Sequence, residues 1–382
     1  MAIQEITPDF IPWARIKVIW TGWAGGNTIN RMIQEWLEWV EFIAVNTDAQ
    51  TLENNLASTK INIWLNLTRW LWAWANPEVW RKAAEENLDE IKKHLEDTDM
   101  IFITAWMWWW TWTWATPVIA QLAKEMWILT VWIVTKPFSF EWKRRLENAI
   151  EWLEKLKDSV DTLIVIPNDK IFNIIDKKTT FKQAFQMIDR ILHLWVQWIS
   201  DLIIKPWLIN IDFADISVIM KDSWTALLGI WYWEWENRTV EATRQAIENP
   251  LLEAKLEWAK NIIFAVTWWE DLTPTEVQEA ASIVENISSE DANIIWWMSI
   301  DENYDWDVKV TIIATWFPEV TQSEIVKWSS SRWNIYRWQA QTASKWNDFV
   351  TKTLNTAKEG SKSKENEWDN PDIPAFLRRK AK

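Results

Sequence analysis

The strongest candidate for chemistry in this chain is a loop that joins a predicted buried strand to a predicted helix. It reads Trp108-Trp109-Trp110-Thr111-Trp112-Thr113-Trp114. Clustered indoles have no evident role on a turn, but with glycine at each tryptophan the loop becomes GGGTGTG. Consecutive glycines before a helix point several backbone N–H groups toward one place and bind phosphate. The lysine of a Walker loop is absent, which argues against an ordinary P-loop NTPase.

The composition supports the glycine interpretation. The chain has 39 tryptophans and 5 glycines, whereas glycine averages about 7% of residues in globular proteins. Residues other than glycine lose roughly 1–2 kcal/mol at each turn that needs a positive φ, and a typical domain is stable by only about 5–15 kcal/mol. We therefore hypothesise that UGA codons mean glycine here and were translated as tryptophan. Trp296, inside an apolar strand, is the best candidate for a genuine tryptophan.

A second glycine-bearing turn lies near the start of the chain. It reads Trp20-Thr21-Gly22-Trp23-Ala24-Gly25-Gly26-Asn27, or GTGGAGGN under the same hypothesis. Such a turn between a strand and a helix brings backbone N–H groups to a phosphate. It is also compatible with a dinucleotide-binding oxidoreductase, so that alternative stays open.

Polar and aromatic residues elsewhere could complete a site, and each has a simpler interpretation. Asn210, Asp212 and Asp215 lie around the start of a predicted helix, where acids commonly cap the helix and oppose its dipole. Phe185 and Asp189 lie on a long predicted helix and could merely occupy its two faces. These residues alone leave structural and functional roles open.

Short apolar runs alternate with amphipathic stretches from Ile16 onward, which predicts strands alternating with helices. This alternation is typical of an α/β fold with a parallel sheet covered on both faces, and ligands of such sheets bind at the carboxyl ends of the strands. The predicted strands are Ile16–Ile19, Glu41–Asn46, Met100–Ala105, Ile128–Thr135, Thr162–Ile166, Ala226–Ile230, Ile262–Thr267, Asn293–Ile300 and Val308–Thr315. The predicted helices are Asn27–Leu37, Asp48–Leu56, Pro117–Met126, Thr179–Ile203, Asp215–Lys221, Arg238–Glu248 and Pro274–Glu285.

The longest predicted helix, Thr179–Ile203, carries one continuous apolar stripe that could serve two domains at once. After Phe317 the chain becomes polar, as in a flexible linker, before a short apolar and basic end. We therefore predict six segments: an extension (1–15), a nucleotide-binding domain (16–178), a core helix (179–203), a smaller α/β domain (204–317), a linker (318–368) and a terminal peptide (369–382).

Bulk properties exclude several functions. The net charge of −14 argues against nucleic acid as a partner. The absence of cysteine excludes a disulfide framework, a thiolate zinc site and a cysteine nucleophile. His94 and His193 fall in helical stretches, where we expect surface or packing roles. The chain shows neither a signal peptide nor an apolar run of the roughly 18 residues that a membrane span needs, so we expect a cytoplasmic protein that does not insert into membranes.

The GGGTGTG loop resembles the signature of the tubulin superfamily. The chain is similar to the FtsZ family of bacterial cell-division GTPases from about Ile16 to Phe317 and again at its end. Segments without tryptophan carry the resemblance independently, and they are FIAVNTDAQ at 42–50, VTKPFSFE at 134–141, DTLIVIPND at 161–169 and NIDFAD at 210–215. Gly26 replaces the family's usual asparagine, which could alter hydrogen bonding in the first loop.

This resemblance implies the tubulin/FtsZ fold and a site for GTP or GDP with Mg²⁺. The two glycine-type loops would hold the phosphates through backbone amides, and the loop at 70–77 would sense the γ-phosphate. Thr135 and Pro137 would lie by the ribose, and Glu141 and Arg145 would bind sugar hydroxyls and a phosphate. The remaining implied nucleotide contacts are Asn46 and Asp48, then Ala73, Trp74, Ala75 and Asn76 of the sensing loop, then Asn168 and Asp189 on the guanine edge, and Phe185 stacked on the base.

The resemblance also implies how hydrolysis depends on assembly. Asn210, Asp212 and Asp215 would enter the nucleotide site of the next subunit and position the attacking water, so head-to-tail filaments would be the active form. The peptide 369–382 resembles a tail that docks membrane-tethering adaptor proteins, although it could be only a solvated basic end. The implied location is the mid-cell division site. A tubulin-like filament protein of plasmid partition or cell shape is an alternative, and so is a non-functional product if every tryptophan is genuine.

Overall fold

A computed structural model of the chain describes residues 14–317 with several gaps. The gaps are 22, 35–36, 38–39, 47, 64–81, 83, 107–115, 139, 141–148, 150–152, 154–158, 174–178, 205–211, 234–236, 250–255, 257–258, 269–270, 301–306 and 316. At 23–27, 105–106 and 173 the description covers the backbone alone.

Six parallel strands form the first half of the structure. They are β1 (Ile16–Thr21), β2 (Val40–Asn46), β3 (Thr59–Asn62), β4 (Met100–Trp106), β5 (Leu129–Lys136) and β6 (Thr162–Pro167). The helices between them are α1 (Trp23–Gln34), α2 (Ala49–Glu53), α3 (Leu88–Leu95) and α4 (Thr116–Glu125). The strands are almost entirely apolar because both faces of the sheet are covered.

Successive side chains of these strands enter two different cores. In β1, Val18 packs on the face that the long central helix covers, whereas Ile19 packs on the opposite face. That opposite face is covered by α3 and α4 through residues such as Leu95 and Ala120. The alternation follows from the two-residue period of a strand and confirms the predicted parallel sheet between two helical layers.

Helix α5 (Phe181–Ile204) is 24 residues long and joins the two halves of the structure. The predicted apolar stripe is buried from Ile188 to Leu202, but Phe181 at the start of the helix is 67% exposed. The stripe is therefore core along most of the helix and surface at its first turn.

The second half contains α6 (Phe213–Met220), β7 (Trp224–Trp233), α7 (Arg238–Ile247), β8 (Asn261–Trp268), α8 (Pro274–Ile287), β9 (Asn293–Ile300) and β10 (Val308–Thr315). Strand β10 runs antiparallel to both neighbours, β7 and β8. Gly229 of β7 lies so close to α7 that a Cβ atom there would meet the Ala246 carbonyl oxygen at 2.0 Å. That close approach explains why this position holds glycine.

Helices α7 and α8 are tied together by a half-buried ionic cluster. Arg238 contacts Asp271 at 2.6 Å and Glu276 at 3.2 Å. Glu276 also closes a capping box with Thr273 at the start of α8. Burial opposes ionisation of Glu276, but hydrogen bonds from Thr273 and Arg238 outweigh it and lower the pKa of the carboxyl below its usual value. The cluster joins the start of α7 to the start of α8.

The described strands form one sheet of ten, in the order β3-β2-β1-β4-β5-β6-β7-β10-β8-β9. The two halves join where β6 and β7 pair in parallel over only two positions, Thr162 with Trp224 and Leu163 with Thr225. This junction was not predicted, because nothing local in either strand specifies its neighbour. Strand β3 was also missed, since its four residues Thr59–Asn62 contain one apolar side chain.

Candidate nucleotide site

Buried polar atoms collect at the carboxyl ends of β5 and β6. Thr135 lies one residue from the end of β5, and Asn168 follows Pro167, the last residue of β6. Both side chains are fully buried. Among the described residues, neither the Thr135 hydroxyl nor the Asn168 amide has a hydrogen-bond partner. Buried polar groups are nearly always satisfied, so these two side chains fit a polar ligand at this edge of the sheet.

A cluster of phenylalanines lies beside this edge. Phe138, two residues beyond β5, stacks on Phe140 with ring centroids 5.0 Å apart and meets the edge of Phe185 at 5.8 Å. Phe185 is half-buried on α5, and Phe140 is 53% exposed. Pro137, between β5 and Phe138, is buried. An aromatic wall next to unsatisfied polar atoms suits a ligand that has both a flat ring and hydrogen-bonding groups.

The carboxylate of Asp189 lies one helical turn beyond Phe185 on α5. It accepts a hydrogen bond from the Thr28 hydroxyl at 2.5 Å through Oδ1, and its Oδ2 lies 3.4 Å from the Arg31 guanidinium. Both partners belong to α1. Thr28 and Arg31 were not among the sequence candidates, because 161 residues separate Thr28 from Asp189 and no local pattern links them.

The residues that flank the two predicted phosphate loops lie close together at the same edge. The Thr21 hydroxyl, at the end of β1, lies 3.0 Å from the Thr116 hydroxyl, at the start of α4. Helix α1 begins at Trp23, four residues earlier than predicted, so the backbone of Trp23 to Asn27 forms its first turns. The N-termini of α1 and α4 therefore begin close together, and free N–H groups of helix N-termini attract anions.

Asn46 and Asp48 lie at the carboxyl end of β2. The Asn46 side chain accepts a hydrogen bond from the Asp48 backbone N–H at 3.0 Å. Asp48 caps α2 by accepting from the Gln50 backbone N–H at 3.0 Å and from the Thr51 hydroxyl at 2.8 Å. These bonds shape the turn, and they place both residues on the edge that also holds Thr135.

The helix that carries Asp212 and Asp215, α6, is bonded by its last residue to the other end of the sheet. The Met220 carbonyl at the end of α6 accepts a hydrogen bond from Thr162, the first residue of β6. Asp212 and Asp215 at the start of α6 are exposed, and the Asp212 side chain makes no capping hydrogen bond. Asp212 is the N-cap residue and Asp215 lies in the first turn, so both acids can oppose the helix dipole, but Asp212 caps α6 only through its backbone carbonyl. Their role in catalysis stays a prediction.

Several predicted site residues lie outside the described part of the chain. They are Gly22, Ala73, Trp74, Ala75, Asn76, Trp108, Trp109, Trp110, Thr111, Trp112, Thr113, Trp114, Glu141, Arg145 and Asn210. The predicted linker and terminal peptide, 318–382, lie outside it as well. Of the predicted base and ribose residues, the structure describes Thr135, Pro137, Asn168, Phe185 and Asp189, and they lie on the side of the sheet where both phosphate helices begin.

Within the described ranges, no group of three or more His, Asp or Glu side chains could hold a metal ion. Over the same ranges, no helix has both the length and the apolar character needed to span a membrane.

Comparison with known proteins agrees with this arrangement. Residues 15–176 match the GTPase domain of the Tubulin/FtsZ family, and residues 225–318 match the C-terminal domain of the FtsZ family. An empty FtsZ dimer from M. jannaschii is 40% identical with a TM-score of 0.71, and the match covers 79% of this chain and 88% of that one. A tryptophan-to-tyrosine mutant of FtsZ from the same organism matches at the same identity and TM-score, over 79% of this chain and 91% of that one.

A more distant neighbour shares the fold. CetZ2 from Haloferax volcanii, a GTPγS-bound protofilament, is 16% identical with a TM-score of 0.67, and the match covers 81% of this chain and 97% of that one.

Fold and site together define an α/β protein of the nucleotide-binding class, with its candidate binding residues at the carboxyl ends of the parallel strands. The chain belongs to the Tubulin/FtsZ family. It carries that family's GTPase domain, which implies GTP and GDP as ligands, and the resemblance stated from the motifs is confirmed.

Proposed function

We propose that this chain is a GTP-dependent polymerising GTPase that assembles head to tail into the filaments of the bacterial division ring. Each subunit would hold GTP at the carboxyl edge of its sheet, and Asn210, Asp212 and Asp215 of the next subunit would complete the site. The FtsZ dimer among the similar structures supports self-association.

The observation that carries this proposal is the separation along α5 between the candidate nucleotide residues and the exposed acids of α6. Asp189 lies near the start of α5, and the remaining 15 residues of that helix span roughly 22 Å at 1.5 Å per residue. Helix α6, with its exposed acids, comes after α5 and is bonded to the amino end of β6. A second subunit stacked end to end would bring exposed acids to a nucleotide. Such a contact does not close on itself, so it generates filaments.

The proposed roles follow from the chemistry of phosphoryl transfer, which depends mainly on positioning and charge stabilisation. The N-termini of α1 and α4 would stabilise negative charge on the phosphates. Asp212 and Asp215 would orient the attacking water. Mg²⁺, when bound to the phosphate oxygens, would neutralise charge that develops there. Asn168 and Asp189 would bind the edge of guanine that carries N1–H and the 2-amino group. These two adjacent donors suit a carboxylate, and adenine does not present them.

The division-ring role is the finer part of the proposal. It rests on the peptide 369–382, where an apolar core, Ile373 to Leu377, precedes basic residues after a polar linker. We propose that this peptide folds on membrane-tethering adaptor proteins at mid-cell. An acidic protein is repelled by anionic membrane, so separate adaptor proteins would hold the filaments at the membrane. The same peptide favours division over partition or cell shape.

The Asp212→Ala variant tests the catalytic part. We expect GTP affinity to stay within about twofold of wild type and turnover to fall by about 100-fold or more, because the acid orients water only in the assembled site. Binding is measured by fluorescence titration and turnover by phosphate release.

Asp291→Ala, which removes an exposed acid beside α8, is the matched control and keeps normal turnover. Wild-type turnover by Asp212→Ala would refute the assignment. A loss of GTP affinity equal to the loss of turnover would place Asp212 in its own subunit's site and contradict the proposed assembly.

A further inference from the structure

Helices α1 and α5 are joined by buried polar contacts as well as by the apolar core. Thr28 is fully buried, and its hydroxyl donates to Oδ1 of Asp189 at 2.5 Å. Arg31, one turn later on α1, lies 3.4 Å from Oδ2 and also donates to the Gln186 carbonyl at 3.3 Å. The Asp189 carboxylate is therefore held at both oxygens by the helix that follows the first phosphate turn.

We propose that Thr28 is a positioning residue for guanine recognition: its hydroxyl orients the Asp189 carboxylate so that both oxygens face the base. This inference rests on the proposed reading of guanine by Asp189.

The chemistry of the base explains why orientation matters. Guanine presents two parallel donors, N1–H and the 2-amino group, so a carboxylate binds both only when its plane lies in the plane of the base. A carboxylate fixed at Oδ2 alone can still rotate about its last bond. The hydroxyl of Thr28 fixes the second oxygen. Each carboxylate oxygen can accept two hydrogen bonds, so the bond with Thr28 is compatible with a further bond to the base.

The position of Thr28 on α1 adds a connection between base and phosphates. Helix α1 begins at Trp23, within the predicted first phosphate turn, and Thr28 lies within its first two turns. One rigid helix thus carries both the phosphate-binding end and the hydroxyl that orients Asp189. An error in the angle of α1 would misplace both contacts together.

The test compares GDP with IDP, which lacks the 2-amino group, on the full chain. Thr28→Val replaces the hydroxyl with a methyl group of similar size. We expect affinity for GDP to fall about tenfold, because hydrogen bonds to charged groups are the strong ones. Affinity for IDP should fall only about twofold, because a rotated carboxylate can still accept the single N1–H bond that IDP offers. The preference for GDP over IDP should therefore decrease.

Two control variants separate positioning from folding. Thr28→Ser keeps the hydroxyl and should restore the preference. Thr243→Val removes another buried threonine hydroxyl, on α7, and should leave both affinities unchanged. An equal loss of GDP and IDP affinity in Thr28→Val, or no recovery in Thr28→Ser, would overturn the positioning role.

Asp189→Asn distinguishes this inference from the proposed function. If that variant leaves the GDP-to-IDP preference unchanged, the proposed reading of guanine by Asp189 fails. If the preference contracts in Asp189→Asn and stays intact in Thr28→Val, only the positioning role of Thr28 fails. In the double variant we expect no loss of preference beyond that of Asp189→Asn, because the hydroxyl acts through the carboxylate.

Discussion

Trp127 ends helix α4 in a conformation that tryptophan rarely adopts. Its φ is 63°, and its N–H bonds to the Lys124 carbonyl while the next N–H bonds to the Ala123 carbonyl. This pair of bonds is the Schellman motif, whose left-handed residue is usually glycine. Trp224 has a φ of 65°, and the other described residues with positive φ besides glycine are Asp97, Asp222 and Asn237. Asp and Asn tolerate this region, but tryptophan does not.

We expect Trp127→Gly to stabilise the protein by about 0.5–1 kcal/mol. Relief of the left-handed strain is worth roughly 1–2 kcal/mol, and loss of the contact between Lys221 and the Trp127 ring, 5.3 Å apart, offsets part of it. Urea denaturation measures the difference. Trp296→Gly is the control: its ring packs on Phe264 at 4.8 Å, so we expect a loss of about 3 kcal/mol.

The hypothesis that UGA codons mean glycine stays a prediction, and the positive φ angles of Trp127 and Trp224 agree with it. If UGA means glycine in the native gene, Trp127 and Trp224 are glycine in the cell and Trp296 is the best candidate to remain tryptophan. Protein purified from its own cells would then be lighter than 45.7 kDa. A measured mass of 45.7 kDa, or no gain in stability from Trp127→Gly, would contradict this account.

At the scale of elements, the junction between β6 and β7 depends on more than its two paired positions. The Thr162 hydroxyl contacts Ser223 at 3.0 Å, and the Trp224 N–H bonds to the Asp161 carbonyl at 3.1 Å. Lys124 of α4 pairs with Asp222 at 2.9 Å. Side-chain and turn contacts therefore fasten the second half of the sheet to the first.

Asp161 is the buried acid of this junction, and it makes the stability depend on pH. Burial raises the pKa of its carboxyl above the usual 3.8, and the hydrogen bond from the Thr130 N–H only partly opposes that effect. The folded state thus holds this proton more tightly than the unfolded chain does. The stabilisation from this group is complete below about pH 3.8 and is lost as the pH rises through the raised pKa.

We expect Asp161→Asn to raise the melting temperature at pH 7, because the amide oxygen can still accept from Thr130 without a buried charge. The advantage over wild type should shrink as the pH falls toward 4. Thermal scans across this range measure it. Asp291→Asn, an exposed acid, is the control and should show no pH-dependent difference. A constant or reversed difference between Asp161→Asn and wild type would contradict the assigned cause.

At the scale of the whole molecule, the proposed active site belongs to two subunits. The candidate base and ribose residues lie at the carboxyl edge of the sheet, and the exposed acids of α6 follow the far end of α5. In the described part of the chain, neither edge alone contains every group that the proposed hydrolysis needs. Turnover should therefore depend on contact between subunits.

A mixing experiment tests this dependence. At a wild-type concentration too low for assembly, an excess of Asp212→Ala should raise turnover per wild-type molecule severalfold. The variant supplies bound GTP, and the wild-type acids act on it across the new contact. Phosphate release measures the effect, and an equal amount of serum albumin is the control. Turnover that is unchanged by the variant would indicate a site complete within one chain.

Much of the fold was predictable because strands buried on both faces have a local signature. The apolar runs from Ile16, Met100 and Ile128 became strands, and the stripe on α5 became core. The carboxyl ends of parallel strands mark the binding edge of the sheet, and Thr135 and Asn168, which the family resemblance assigns to the nucleotide, lie at that edge. Short-range patterns in the sequence therefore predicted most of the elements and the family, and the roles of the site residues stay predictions.

Tertiary structure alone decided which distant elements meet. It placed β10 between β7 and β8, joined β6 to β7, and bonded Thr28 to Asp189 across 161 residues. It also left the Asp212 side chain without a capping hydrogen bond, on the helix that is bonded to the amino end of β6. Such pairings depend on how whole layers of the fold pack against each other. The free energy of that packing is spread over many contacts, so the local sequence of the paired residues does not specify it.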